Sequence, residues 1–254
     1  MNDALPTPPP AGPGLLLVHG TAGDSAIWEP MLPQWSDTRT VVAPDLAGAG
    51  SDEDPGELSV AGIAAQALAA ADAAGLTEFD VVGHSLGAVV AAELAAAAPG
   101  RVRRLVLHAG WVRTDARQFA EFDHWIRLLR TEVDLFLGYL PLMAFGPRFW
   151  AAANESTTKE LLELLRPGFR VAPTIRQIEL DQRVDLTDRL AEISAPTLVL
   201  TSRHDRLIDC ASQRALVSGI TGATQAGLDA GHGAPAEDPA EFAAAVTAFL
   251  EEAR

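Results

Sequence analysis

The sequence predicts an α/β fold: a mostly parallel central sheet flanked by helices and interrupted by a helical cap insertion. Three observations carry this reading. Short apolar runs alternate with helix-patterned segments over residues 15–109 and again over 195–252, and strands separated by helices pair in parallel through crossovers. One junction runs from the apolar stretch Phe79-Asp80-Val81-Val82 through Gly83-His84-Ser85-Leu86-Gly87 into an alanine-rich segment, a strand, a sharp turn and a helix in sequence. Between residues 110 and 185 the alternation stops. No run of three β-branched residues occurs there, yet ten of the fifteen aromatic side chains do. The chain divides accordingly into a core of residues 1–109 and 186–254 and a helical cap of residues 110–185. A length of 254 residues suits one large α/β domain with an insertion.

Element by element, residues 6–14 are a proline- and glycine-rich lead-in, extended and weakly ordered. Residues 15–18 read as a short buried strand, broken by His19-Gly20-Thr21-Ala22-Gly23. Residues 25–32 suggest a short helix with Trp28 in the core, and residues 40–43 the next strand. Asp45-Leu46-Ala47-Gly48-Ala49-Gly50 is a glycine-bearing loop. Ser59 is placed to cap a helix reaching Ala74. The strand at 79–82 and the helix at 86–98 follow, with Pro99-Gly100 as its stop, then a strand at 104–108. Helical spacing marks residues 119–131, 133–143, 147–154, 157–165 and 173–182. Residues 197–200 restore the strand pattern, followed by a helix at 211–218, a weak strand at 223–226 and a terminal helix at 239–252.

Composition bounds the partners. The net charge of −15 argues against electrostatic binding to nucleic acid or anionic membranes. Cys210 is the sole cysteine, so no intrachain disulfide can form, and it reads as a packed residue rather than a catalytic thiol. Residues 1–14 lack the basic start and apolar run of a signal peptide. No charge-free apolar stretch of spanning length is present. A cytoplasmic protein that needs no cofactor or metal is expected.

The chemistry-bearing residues follow from the turn at Ser85. A serine hydroxyl is a poor nucleophile at neutral pH. It needs a base to take its proton and a carboxylate to orient that base. Asp205 follows the strand at 197–200, with Asp209 as the rival acid four residues later. His232 sits in Ala230-Gly231-His232-Gly233 before the last helix. His84 and His204 are weaker bases, because His84 leaves the turn in another direction and His204 only adjoins Asp205. A tetrahedral intermediate needs N–H donors. Leu86, at the helix N-terminus behind Ser85, and Thr21, in the loop after the first strand, can supply them. Each feature also has a plain structural reading, as a tight turn, a helix cap or a loop histidine. The consistent order of the set favours chemistry.

That order, with His19-Gly20, Asp45, Gly48, Gly50, the Gly83–Gly87 turn, Asp205 and His232, resembles the α/β-hydrolase superfamily over nearly the whole chain. Within it the pattern is most similar to 3-oxoadipate enol-lactonases and small esterases, on Arg101-Val102-Arg103-Arg104-Leu105-Val106-Leu107 and the approach from Asp185 to Leu200. The resemblance implies an α/β-hydrolase fold with a cap after the strand ending near His108. It also implies a serine esterase or lactonase using Ser85, Asp205 and His232 as catalytic triad and Thr21 and Leu86 as oxyanion hole. The family begins with two strands before its His-Gly loop. Only eighteen residues precede His19 here, so those strands are expected to be missing or reduced. Ala47 also stands where the family often carries a basic residue or proline. Among aromatics of the cap, Trp111, Phe119, Trp125, Phe145 and Trp150 are candidate pocket-lining residues, with His124 beside them. A small, apolar acyl or lactone substrate is the expected partner. Two other readings stay open: the same triad used for C–C cleavage, acyl transfer or cyclisation, and a non-enzymatic ligand sensor.

Overall fold

The computed structural model describes residues 12–49 and 54–252. The expectation of lost or reduced early strands, most of the proline-rich lead-in, and Gly50 lie outside the described residues. Among the described residues six strands form one parallel sheet: β1 (Gly14–Val18), β2 (Val41–Val42), β3 (Phe79–His84), β4 (Val102–His108), β5 (Thr197–Ser202) and β6 (Thr224–Leu228). The order across the sheet is β2-β1-β3-β4-β5-β6, the fold class that the alternation predicts. The run Leu15-Leu16-Leu17-Val18 is continuously apolar because both faces of β1 are covered. Leu16 and Val18 point into one core with Val81, Leu105, Leu107 and Val199. Leu15 and Leu17 point into the other with Val82, Val106, Leu200, Trp28 and Phe242. Period-two alternation thus splits one sequence run between two cores.

The first core is roofed by α1 (Val60–Ala73) and α2 (Leu86–Ala97), and α8 (Cys210–Gly219) adds Leu216 to it. The second is roofed by a 3-10 helix (Ser25–Gln34) and, after the short α9 (Ala234–Glu237), by α10 (Pro239–Leu250). The Ser25–Gln34 segment cannot run as an α-helix, since Pro30 and Pro33 inside it remove N–H donors. Ser59 caps α1 through the Gly62 N–H, as its position predicts. The second strand is shorter than residues 40–43 suggest, and α9 has no counterpart in the sequence reading.

Between β4 and β5 lie five α-helices: α3 (Ala116–Thr131), α4 (Val133–Ala144), α5 (Pro147–Ala152), α6 (Thr157–Leu165) and α7 (Val171–Asp181). An Asp115/Gln118 capping box starts α3. β1 pairs with β2 on one side and β3 on the other, so successive connections leave in opposite directions. The carboxyl ends of such strands form the crevice where ligands bind.

Candidate active site

Four strand ends meet in that crevice. β3 ends at His84 and α2 begins at Leu86, so Ser85 alone makes the turn, at φ +56° and ψ −123°. A non-glycine residue at positive φ is held there only by its surroundings. Here the Ser85 N–H donates to the His108 carbonyl at 2.9 Å. Gly87 is dictated by close approach: a Cβ on it would sit 2.1 Å from the Val18 carbonyl oxygen. A Cβ on Gly20 would sit 2.8 Å from Ser85 Cβ, so the loop after β1 lies directly against the turn.

The geometry brings Ser85, His232 and Asp205 together. Ser85 Oγ lies 2.9 Å from His232 Nε2, and His232 Nδ1 lies 2.9 Å from Asp205 Oδ2. Asp205 Oδ1 accepts the N–H groups of Leu207 and Ile208 at 2.9 and 2.8 Å. Its Oδ2 also accepts from Gln213 Nε2 at 3.1 Å. Such a chain can pass the serine proton to imidazole while the carboxylate fixes the tautomer. The rival Asp209 is the N-cap of α8, accepting the Ser212 N–H at 2.7 Å, and those local N–H donors hold its carboxyl below the usual range. Leu86 N–H, at the first position of α2, has no intrahelical acceptor. Neither it nor the Thr21 N–H has a protein acceptor among the described residues.

The other histidines have different employment. His19 is fully buried; Leu46 N–H donates to its Nε2 at 2.9 Å, and its Nδ1 lies 2.8 Å from the Gly20 carbonyl. It ties the loop after β1 to the loop after β2. His84 lies 2.9 Å from His108 through their Nδ1 atoms, and His108 Nε2 lies 2.8 Å from Ser202 Oγ. Burial is the main cause that holds both well below the usual imidazole value, with repulsion from His108, His232 and His19 added at His84 and from His232 at His108. His204 pairs with Asp229, away from Ser85.

Ser85 and His232 open into a cavity of about 170 Å³. Its walls are the loop after β1 (Thr21, Ala22), α3 (Phe122, Trp125), the end of α4 (Leu140, Phe145) and the loop after β5 (Leu207, Ile208), with Asp181 of α7. Two of the cap candidates therefore line it, Trp125 and Phe145, and four do not, Phe119 lying exposed on α3. Trp111 is buried in the first core, its Nε1 donating to Thr114 Oγ1. His124 is on the exposed face of α3, edge-on to Tyr139. Trp150 packs on Phe149 in the short α5. The helical period explains the split on α3: Phe122, Trp125 and Leu129 share the buried stripe, and His124 falls outside it. Two residues absent from the sequence reading, Gln177 and Asp181, are fully buried beside the loop after β1. A signal existed: with Thr174 and Ile178 they occupy i, i+3, i+4, i+7 positions of α7, polar groups where a core stripe is expected.

A family model described as the alpha/beta hydrolase family matches residues 15–245. The chain belongs to the alpha/beta-hydrolase family. A pyrrolizixenacetamide deacetylase of Xenorhabdus hominickii is 37% identical, covering 94% of this chain and 91% of that protein. A putative carbamate hydrolase, RutD, of Azorhizobium caulinodans is 32% identical, covering 95% and 92%. Among solved structures, the enol-lactonase of Burkholderia xenovorans LB400 superposes with a TM-score of 0.83 at 24% identity, covering 95% of this chain and 92% of that one; this likeness speaks for the fold. The protein is thus a hydrolase by family. No helix among the described residues is long and apolar enough to cross a membrane.

Proposed function

We propose that this alpha/beta hydrolase cleaves a small, largely apolar carboxylic ester or lactone through a covalent acyl-enzyme on Ser85. The observation that carries the reading is the continuous contact Ser85–His232–Asp205 facing an apolar cavity. His232 takes the Ser85 proton as Oγ attacks the carbonyl carbon. Asp205 orients the imidazole and balances its charge. The N–H groups of Thr21 and Leu86 hold the oxyanion, and His232 returns the proton to the leaving oxygen. Water then repeats the attack with His232 as base. A cavity of about 150 Å³ takes up a benzene-sized molecule, so about 170 Å³ suits a short acyl chain or a single ring. Helices α3–α7 act as the cap that closes over it.

A second reading rests on the relatives whose names specify an acetamide and a carbamate: the scissile bond is C–N. The same residues serve, with His232 protonating a departing nitrogen. A panel of p-nitrophenyl esters of rising chain length, run beside lactones, aryl acetamides and aryl carbamates, separates the two. Highest kcat/KM on short esters or lactones supports the first reading, and preference for the amide or carbamate overturns it in favour of the second. An intact-mass adduct on Ser85 from a fluorophosphonate supports both against a pure binding protein.

A further inference from the structure

The loop after β1 is held from above. Thr21 Oγ1 donates to Asp181 Oδ2 at 2.7 Å. Ala22 N–H donates to Gln177 Oε1 at 3.1 Å, and Gln177 Nε2 donates on to the Ala47 carbonyl at 3.1 Å. Gln177 and Asp181 are one turn apart on α7, at 0% and 1% exposure. Between the two contacts, Ala22 stands at φ +62°, a left-handed conformation that a residue with a Cβ keeps only where its neighbours enforce it. The β1 exit alone does not fix this loop.

We propose that Gln177 and Asp181 are positioning residues that set the Thr21 N–H for the oxyanion, so that one turn of α7 completes a site otherwise built by the sheet. This rests on the serine-hydrolase reading above. Asp181 suits the task because it is fully buried and its burial disfavours the charged form. Burial pushes its carboxyl well above the usual range, opposed only by the Thr21 hydroxyl, and its Oδ1 is buried without a hydrogen-bond partner. The titratable groups sharing the cavity wall with it are His84 and His232. On its own helix Arg176 is engaged by Asp54 and Glu179, and Thr114 Oγ1 meets only its backbone carbonyl. An ionised carboxylate here would oppose the negative oxyanion, whereas a neutral one orients Thr21 without that penalty.

The test is a double-mutant cycle of Thr21→Val and Asp181→Ala, with Asp181→Asn as the conservative variant. Each of the first two is expected to lower kcat about 10- to 100-fold, less than the roughly 10²- to 10³-fold that outright loss of an oxyanion donor costs, because the Thr21 N–H is displaced rather than removed, with KM changed by less than about threefold. Fluorophosphonate labelling of Ser85 slows in parallel. The double variant is no slower than the slower single, because both break one bond. D181N, which still accepts from Thr21, recovers most of the rate and lacks the alkaline fall in kcat that ionisation of Asp181 gives the parent. Thermal unfolding and circular dichroism verify folding; if D181A does not fold, T21V and D181N carry the test. A kcat for T21V within twofold of the parent, multiplicative losses in the double variant, or a loss confined to KM overturns the clamp while leaving the serine-hydrolase reading standing. A parent that is never labelled on Ser85 overturns both.

Discussion

The two halves of the candidate site are built differently. The sheet-borne half hangs from strand ends, and its helix α2 is buried at every position except the last. The inserted half, α3–α7, includes α5 and α6 with no buried residue at all, and Leu164 is 75% exposed. Where each side chain touches many others, residue identity is dictated by packing. Where helices lie on a surface, many sequences serve, and the few inward side chains decide what fits the cavity. On the proposed serine-hydrolase reading, chemistry falls to the densely packed half and discrimination to the half laid on the surface.

The sharpest way to break this comparison is at the rigid end. Ser85→Ala is expected to reduce turnover of the best p-nitrophenyl ester by at least about 10⁴-fold while changing the unfolding temperature little. Turnover within tenfold of the parent removes the proposed nucleophile. Gly87→Ala comes next: a methyl pressed onto the Val18 carbonyl must displace β1 or α2. A cost of about 3 kcal/mol or more, or failure to accumulate as folded protein, is expected in urea unfolding.

The halves should also titrate in opposite directions. His84 and His108 are held below their ordinary value of 6.5, so the unfolded chain binds more protons than the folded one as pH falls. Stability is lost as pH drops below 6.5, and His108→Gln flattens that limb of a pH–unfolding curve. Asp181 is held above its ordinary 3.8, so the folded chain binds the extra proton. Its contribution is full below that value and declines as pH rises toward the raised one. D181N should gain stability relative to the parent with rising pH, and a gap that narrows instead contradicts the buried neutral acid. The smallest effect belongs to the loose surface: Leu164→Ser should shift stability by no more than about 0.5 kcal/mol.

Legibility followed the same boundary. The strands at residues 15–18, 79–82, 104–108 and 197–200 were readable because both faces of a central strand demand apolar residues. The five inserted helices were readable from their period. Of the aromatics in that insertion, Trp125 and Phe145 line the cavity, but Trp111 fills the core and Trp150 packs on Phe149. An aromatic residue alone does not say which of its neighbours it meets. Asp181 was easy to overlook for a related reason: an acidic residue near a helix end usually faces water, and only its place on the stripe of Thr174, Gln177 and Ile178 pointed inward.

By itself the sequence determined the alternation that makes a parallel sheet, the turn that isolates Ser85, and the order in which serine, acid and histidine follow their strands. These are local properties, fixed by period, by steric room at glycine and by chain order. Only the tertiary structure decided that Ser85, His232 and Asp205 stand in hydrogen-bond contact, that Asp209 is spent on capping a helix, and that α7 reaches the loop after β1. Those contacts join residues up to 160 positions apart, and such distances close only when apolar burial on both faces of the sheet has drawn the chain together.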